Sequence, residues 1–188
     1  MIEVNAFLTA EGNSDYDFLP VLLERALNRL CLPHRLAVAG MTLLFYHYDG
    51  SAAPDREERK YWAPLRESWK KHGPGRPLVR VVPVREMESR ALSDLDVLRQ
   101  VAGSSWHAKG VFEGERLSRV ECLSDPKRTL KEVVASGRRR RRAGREAGDY
   151  LTRIAELMSL DYLESVPSYR LWLSGTCEAL EELRLIRD

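Results

Sequence analysis

The chain has 188 residues, which is enough for one globular domain with a full hydrophobic core and short for two. Apolar residues make up 44% of the sequence and charged residues 31%, a balance that is ordinary for a folded protein and too apolar for intrinsic disorder. No apolar run approaches the roughly 20 residues that span a bilayer, and the N-terminus has no basic leader or clear cleavage site. We therefore expect one domain over residues 1–188, in the cytoplasm and without a membrane partner.

The first predicted elements are a strand, an acidic turn and a helix. Residues 2–8 read IEVNAFL, a short apolar run typical of a buried strand. Over residues 18–30, apolar side chains recur at the 3.6-residue spacing of an amphipathic helix. Ser14 and Asp17 resemble a capping box, so we expect the helix to begin there.

Two more strands are predicted next, each with a helix after it. Residues 43–48 end a near-continuous apolar run that stops at Asp49-Gly50, which suits a parallel strand covered on both faces. A helix is predicted over residues 55–72, and the breaker GPGRP precedes a third strand at residues 78–84. Strands that alternate with helices predict an α/β fold in which the three apolar runs are adjacent parallel strands.

The C-terminal part is predicted to be helical and to flank the sheet. Residues 86–102 begin this helical pattern, whereas residues 103–125 have no clear period and predict an irregular excursion or a short hairpin. Helical patterns return in DPKRTLKEVV, at residues 150–158 and in PSYRLWLSGTCEALEELRLI.

The small net charge of +2 hides one strongly basic segment. Residues 137–145 read GRRRRRAGR and contain no acid, so the rest of the chain is mildly acidic. Guanidinium groups bind phosphate bidentately, and each neutralised phosphate releases counterions. The segment therefore predicts nucleic-acid binding by Arg138, Arg139, Arg140, Arg141, Arg142 and Arg145. A solvated loop whose charge only offsets the acidic body stays open as the alternative.

Acidic side chains follow all three predicted strands. Glu11 comes after the first strand, His47 and Asp49 lie at the end of the second, and Glu86 and Glu88 come after the third. The carboxyl ends of parallel strands meet at one edge of a sheet, where ligands bind in α/β folds. Carboxylates crowded there repel one another unless a cation neutralises them, and hard divalent ions prefer carboxylate oxygens. The sequence therefore predicts a metal site at this edge, with Mg²⁺ or Mn²⁺ as the ion.

These residues also have ordinary structural explanations. Asp15 and Asp17 lie where carboxylates commonly cap helix amides, and capping is the favoured interpretation for both. Asp49-Gly50 could form a simple turn. His47 could be a hydrogen-bonded core residue, as histidines near buried strand ends usually are. The shared placement of the acids after successive strands is the observation that favours a metal site.

An EG turn after the first strand, an acidic D-x-D-like stretch after a later apolar strand and a further acid beyond it resemble the Toprim catalytic fold, which is shared by topoisomerases, primases and nucleases of the overcoming-lysogenization-defect type. More specifically, the stretches EGNSDYDFL, EMESRALSD and IAELMSLDYLESVPSYRLWL resemble a bacterial Toprim-like family classed as a domain of unknown function. Members of that family carry EG followed by an acid, then a stretch like E-x-W-x-L-x-D, then a Pro-Ser-aromatic helix. The similarity covers residues 4–183, nearly the whole chain.

The resemblance implies roles for individual residues. Glu11 matches the general acid/base glutamate of the Toprim turn, and Asp49 matches the second aspartate of its D-x-D pair. Glu88 and Asp94 match the two acids of the later motif. The metal ligands implied in this way are Glu11, His47, Asp49, Glu88 and Asp94.

Two residues depart from the family pattern. His47 stands where the first aspartate of the D-x-D pair would be, and Arg90 replaces the tryptophan of the later motif. A histidine can still ligate a transition ion, and it favours manganese or zinc over magnesium. The site is therefore either a variant or catalytically weakened.

The resemblance implies a nuclease that cleaves phosphodiesters with a divalent metal, in phage defence or DNA repair, beside an ATPase partner protein. The alternative is a subunit that binds nucleic acid or a partner protein and whose Toprim-like site has decayed. The ATPase partner follows from the resemblance alone, and the oligomeric state stays open.

Overall fold

The protein contains a parallel sheet of three strands. The structure, a computed structural model, describes residues 2–31, 33, 36–50, 54–73, 76–102, 117–138 and 148–186. Within them, β1 (Ile2–Thr9), β2 (Leu36–Tyr46) and β3 (Leu78–Arg80) lie in the order β1-β2-β3, and both pairs are parallel. The predicted α/β class and the predicted adjacency of the three apolar runs are confirmed.

The register of the sheet aligns the carboxyl ends of the strands. Thr9 pairs with Tyr46, and Tyr46 pairs with Arg80. Hydrogen bonding continues one residue further, because the His47 N–H donates to the Thr9 carbonyl at 2.8 Å and the Val81 N–H donates to the Tyr46 carbonyl at 3.0 Å. The residues after the strands therefore emerge side by side at one edge of the sheet.

The third strand is shorter than the sequence predicts. The apolar run over residues 78–84 contains Pro83, which has no N–H to donate to a ladder, and only Leu78–Arg80 pair as a strand. Arg85 then adopts a left-handed conformation with a φ of 68°, which is uncommon for a residue with a side chain. Glu86 and Glu88 therefore come after a turn beyond β3, and not directly after the strand.

Helices connect the strands in the predicted order. β1 leads into α1 (Asn13–Cys31), which buries one apolar face. Between β2 and β3 lie α2 (Pro54–Glu57), a π-helical segment (Glu58–Trp62) and α3 (Ala63–His72). The helix predicted over residues 55–72 is thus present, with a π segment inside it.

The rest of the described chain is mainly helical. Its elements are α4 (Glu88–Ala91), α5 (Leu95–Ala102), a 3₁₀ segment (Leu117–Cys122), α6 (Pro126–Arg138), α7 (Gly148–Leu157), α8 (Leu160–Leu163) and α9 (Pro167–Glu182). The helical pattern predicted over residues 86–102 is divided into two helices. Of the stretch predicted to be irregular, residues 103–116 lie outside the described residues. No helix in the described ranges has the length and apolar content needed to cross a membrane.

The hydrophobic core lies on one face of the sheet. Phe45 and Val79 are paired neighbours on this face, and both are buried. α9 packs over them, with the Trp172 ring edge-on to Phe45 at a centroid distance of 6.5 Å. The opposite face is more open, since Phe7 is 47% exposed there. This open face borders the edge at which the predicted acids emerge.

Candidate functional site

The turn between β1 and α1 holds Asp15 in a buried position. The Gly12 N–H donates to Asp15 Oδ2 at 2.8 Å, and the Asp15 N–H donates to the Gly12 carbonyl at 3.2 Å. This reciprocal pair forms the first turn of α1, in place of the predicted pair of Ser14 and Asp17. Because Asp15 Oδ2 holds the turn while Oδ1 faces His47, the carboxylate does more than cap the helix.

His47 is the buried centre of the site and is 1% exposed. Its Nδ1 lies 2.6 Å from the Val81 carbonyl, and because a carbonyl can only accept, Nδ1 carries the proton. Its Nε2 lies 3.3 Å from Asp15 Oδ1 and 3.9 Å from Asp49 Oδ1, without hydrogen-bond geometry to any described residue. Nε2 can therefore either carry a proton beside the two carboxylates or offer its lone pair to a cation.

Asp49 reaches the site through a turn that requires glycine. A Cβ on Gly50 would lie 2.1 Å from the Pro83 carbonyl oxygen, which is too close for any side chain. The chain after β2 therefore packs directly on the chain after β3 and brings Asp49 toward Glu86. The Asp49 side chain is 50% exposed, so it forms the solvent side of the site.

The acids after β3 surround Lys127 at the start of α6. Glu88 is buried, and its Oε1 lies 3.8 Å from the Lys127 Nζ. Glu86 Oε2 accepts the Lys127 N–H at 3.0 Å, which is a favourable position for an anion at a helix N-terminus. One lysine thus offsets part of the negative charge at this edge of the sheet.

The carboxylates at this edge act on one another through their charges. Burial raises the pKa of Asp49, and His47 opposes part of this rise. The charges of Asp15, Glu86 and Glu11 add to the rise. Burial also raises the pKa of Glu88, with further contributions from Glu86 and Asp49. The structure therefore brings the acids that follow all three strands into one electrostatic group.

The pKa of Asp15 changes in the opposite direction. Burial by itself raises the pKa of Asp15, but its contacts with His47 and the Gly12 N–H outweigh burial, so the pKa is lowered. The anionic form of Asp15 is thus the stable one beside His47. A carboxylate that stays ionised while buried is suited to hold a cation.

Replacing Asp49 with asparagine should raise the stability of the metal-free protein at neutral pH. Asp49 has a raised pKa in the folded state, so its ionised form is less stable there than in the unfolded chain. As the pH falls through the folded pKa, Asp49 takes up a proton and the difference between variant and wild type should shrink. Urea denaturation in chelator across the acidic range measures both effects.

Asp96→Asn is the matched control for this measurement, because Asp96 carries the same charge on an exposed side chain paired with Arg99. Its loss should change the free energy of unfolding by less than about 0.5 kcal/mol. An Asp49→Asn protein that is less stable than wild type at neutral pH would contradict the crowding of carboxylates at the site.

Asp94 has a structural role. Its Oδ1 accepts the Val97 N–H at 3.1 Å at the start of α5, and its Oδ2 accepts the Ser159 N–H at 2.8 Å. Both carboxylate oxygens therefore serve backbone donors, and the cap on α5 explains why the predicted helix is divided after α4. The metal role expected for Asp94 stays a prediction, and we do not include it in the site.

Arg90 fills a buried position between α4 and α9. It is fully buried, and its Nη2 donates to Ser168 Oγ at 3.2 Å. Its guanidinium lies 5.8 Å from the centre of the Trp172 ring. Burial lowers the pKa of Arg90 to about 10, against the opposing charge of Glu121. Arg90 thus connects two helices of this fold.

The arginine segment is mostly outside the described residues. Arg138 is the last residue of α6, and the predicted nucleic-acid contacts Arg139, Arg140, Arg141, Arg142 and Arg145 lie outside the described ranges. Nucleic-acid binding by this segment stays a prediction.

The atoms around His47 Nε2 are of the chemical types that bind divalent ions, and one of the two spacings fits a shared ion. Two ligand atoms that each lie about 2.1 Å from one ion are about 3.0–3.4 Å apart at octahedral or tetrahedral angles. The 3.3 Å between His47 Nε2 and Asp15 Oδ1 falls in this range, and the 3.9 Å to Asp49 Oδ1 lies just outside it. As they are arranged, the described residues include no group of three or more His, Cys, Asp and Glu side chains that could hold a metal ion. Binding would therefore require a small movement of the exposed Asp49 side chain.

The sequence does not show that two residues, Asp15 and Lys127, belong to the site. Asp15 was expected to be a helix cap, because position in sequence does not reveal which way a carboxylate in a first turn points. Lys127 belongs to a helix predicted only to flank the sheet, and no spacing in the sequence connects it with Glu88. Both are found only when the fold brings separate segments together.

Comparisons with known proteins reveal no relative: no family model matches the chain, and no curated protein or solved structure is significantly similar to it. The resemblance to Toprim proteins therefore stays a prediction, and the function has to be argued from the geometry of the site.

Proposed function

We propose that the protein is a nuclease that hydrolyses phosphodiesters in nucleic acid with a divalent metal ion. The observation that carries this proposal is the buried His47 Nε2, which has no hydrogen-bond partner among the described residues and faces Asp15 and Asp49. A buried ring nitrogen without a hydrogen bond destabilises the fold unless a ligand binds to it. The two carboxylates beside it favour a cation as that ligand. Because one ligand is nitrogen, Mn²⁺ is favoured over Mg²⁺.

The residues of the site divide the chemical work. Asp15, His47 and Asp49 would hold the ion, and when bound it supplies charge neutralisation for the phosphodiester and lowers the pKa of an attacking water. Glu11 is exposed and lines the same cleft as Asp49, so it is placed to transfer a proton at the reacting group. Lys127 offers a positive charge on the side of Glu88.

The proposal is tested by cleavage of single- and double-stranded DNA and RNA with Mn²⁺, with Mg²⁺ or with chelator. Wild type should cut in Mn²⁺ and not in chelator. Glu11→Gln should keep most of the Mn²⁺-induced rise in melting temperature and lose turnover, since its carboxylate moves a proton and is not required for binding. Cleavage that continues unchanged in chelator, or in the Glu11→Gln variant, would refute the proposal.

Replacing Arg138, Arg139, Arg140, Arg141 and Arg142 with serine should weaken nucleic-acid binding. It should also flatten the dependence of affinity on salt, because both effects scale with the number of phosphates contacted. Anisotropy titrations of labelled DNA at several salt concentrations measure the slope. An unchanged affinity and slope would show that the segment is only a solvated loop.

A second candidate function is a subunit that binds nucleic acid or a partner protein through a decayed site. Two points favour it: the resemblance would place an aspartate where His47 stands, and no group of three possible ligands is assembled among the described residues. In this case His47 would serve only as a buried neighbour of Asp15, and the wild type would neither bind Mn²⁺ nor cut. A partnership with an ATPase is compatible with both functions and is a further proposal.

A further inference from the structure

We infer that a tyrosine-lined cleft beside the acidic edge binds an unpaired nucleobase, so that the substrate strand at the site is single-stranded DNA or RNA. This inference deepens the proposed function and rests on it for the reaction, but the binding event can be measured separately. The cleft has a volume of about 510 Å³, and its lining includes Tyr46, Tyr48, Tyr61, Glu11 and Asp49.

The three tyrosines form an aromatic wall on the open face of the sheet. Tyr46 and Tyr48 have ring centroids 5.8 Å apart, and Tyr48 and Tyr61 have centroids 6.3 Å apart, with interplanar angles of 52° and 56°. Tyr48 is buried, whereas Tyr61 is 48% exposed and has the Lys60 Nζ 4.7 Å from the centre of its ring. A large aromatic surface at the mouth of a cleft is the feature on which bases stack in single-strand binding proteins.

Tyr48, which lines the cleft, also carries a polar group without a partner among the described residues. This group, the Tyr48 hydroxyl, is buried. A tyrosine hydroxyl can donate a hydrogen bond as well as accept one. The edge of a base carries both donors and acceptors, whereas an aliphatic side chain would leave this hydroxyl without a partner.

The charges in the cleft determine which part of a nucleotide lies where. Glu11, Asp49 and Glu57 line it, and they would repel a phosphate in the absence of a cation. The uncharged base therefore belongs at the tyrosine end and the phosphate at the acidic end, next to His47. A larger cavity of about 830 Å³ lies between α3 and α9 and is lined by none of the predicted site acids, so it is not the better candidate.

A base can enter this cleft only when it is neither paired nor stacked in a duplex. Unstacking and unpairing one base costs a few kcal/mol in double-stranded DNA and least where the strand is already single. The cleft and the acidic edge share Glu11 and Asp49, so a base held by the tyrosines would place its own phosphate near those carboxylates. A substrate strand would therefore place its scissile bond at the acidic edge only where it is single-stranded.

The test measures binding of labelled single-stranded DNA, single-stranded RNA and duplex DNA by anisotropy in Mn²⁺. The full chain carries Glu11→Gln throughout, so that substrate is not consumed. Tyr61→Ala should weaken binding of single strands by about fivefold or more, because base–aromatic stacking is worth about 1–3 kcal/mol. Tyr61→Phe keeps the ring and should bind as the parent does. Tyr162→Ala removes a tyrosine on α8 that is 44% exposed outside the cleft, and it should also have no effect.

The outcomes separate this inference from the proposed function. Equal binding by the Tyr61→Ala protein and its parent, or tighter binding of duplex than of single strands, would overturn the inference even if wild type cuts nucleic acid. Single-strand binding that depends on the Tyr61 ring would support it, even if wild type cuts nothing. The DNA and RNA arms show which sugar the cleft accepts.

Discussion

Replacing Trp172 with alanine should lower the free energy of unfolding by about 3–5 kcal/mol, as expected when a large aromatic side chain is removed from a packed core. Trp172 is 2% exposed, and its ring makes edge-on contacts with Phe45 at 6.5 Å and with Tyr169 at 4.9 Å. Its loss would leave a cavity between α9 and the sheet. Urea denaturation followed by circular dichroism measures the change.

Leu171→Ala is the matched control, because Leu171 precedes Trp172 in the same helix and is 77% exposed. That substitution should change stability by less than about 0.5 kcal/mol. If both variants lost the same stability, packing of α9 on the core face of the sheet could not be the cause, and this part of the fold description would be wrong.

Replacing His47 with asparagine should reduce Mn²⁺-dependent cleavage at least about 100-fold, because even residues that only orient metal ligands cost 10–100-fold when removed. Asparagine can still donate an N–H to the Val81 carbonyl, as His47 Nδ1 does at 2.6 Å, so the carbonyl keeps its partner. The substitution removes the Nε2 atom that lies beside Asp15. Stability in chelator should fall, because Asp15 loses the contact that favours its ionised form, and the Mn²⁺-induced rise in melting temperature should be lost.

His72→Asn serves as the control for this variant, because His72 is an exposed histidine at the end of α3. Cleavage and thermal stabilisation by Mn²⁺ should be unaffected. A His47→Asn protein that cuts as fast as wild type would exclude Nε2 from the reaction.

The sheet could be predicted from sequence because strands that pack on a core leave a simple signal, a run of apolar residues. Residues 43–48 carry that signal, and the strand they predict is present as the end of β2. The same signal overestimates β3, since Pro83 is apolar but cannot donate to a ladder. Apolar content predicts burial, whereas strand length depends on backbone donors.

The site could be predicted only in part. That acids follow three parallel strands is visible in the sequence, and the pKa of Asp49 shows that the charges of Glu11, Asp15 and Glu86 reach it. The sequence does not show which of these acids have a structural role. Asp94 looks like a ligand by motif but serves two backbone N–H groups, one of them at Ser159, far along the chain.

Titration of Mn²⁺ into the purified protein, followed by calorimetry, measures directly whether a metal binds at His47. We expect one ion per chain in wild type, no binding in His47→Asn, and unchanged binding in Asp17→Asn, whose carboxylate is predicted only to cap α1. Absence of Mn²⁺ binding in wild type, or equal binding in wild type and His47→Asn, would contradict a metal site at His47.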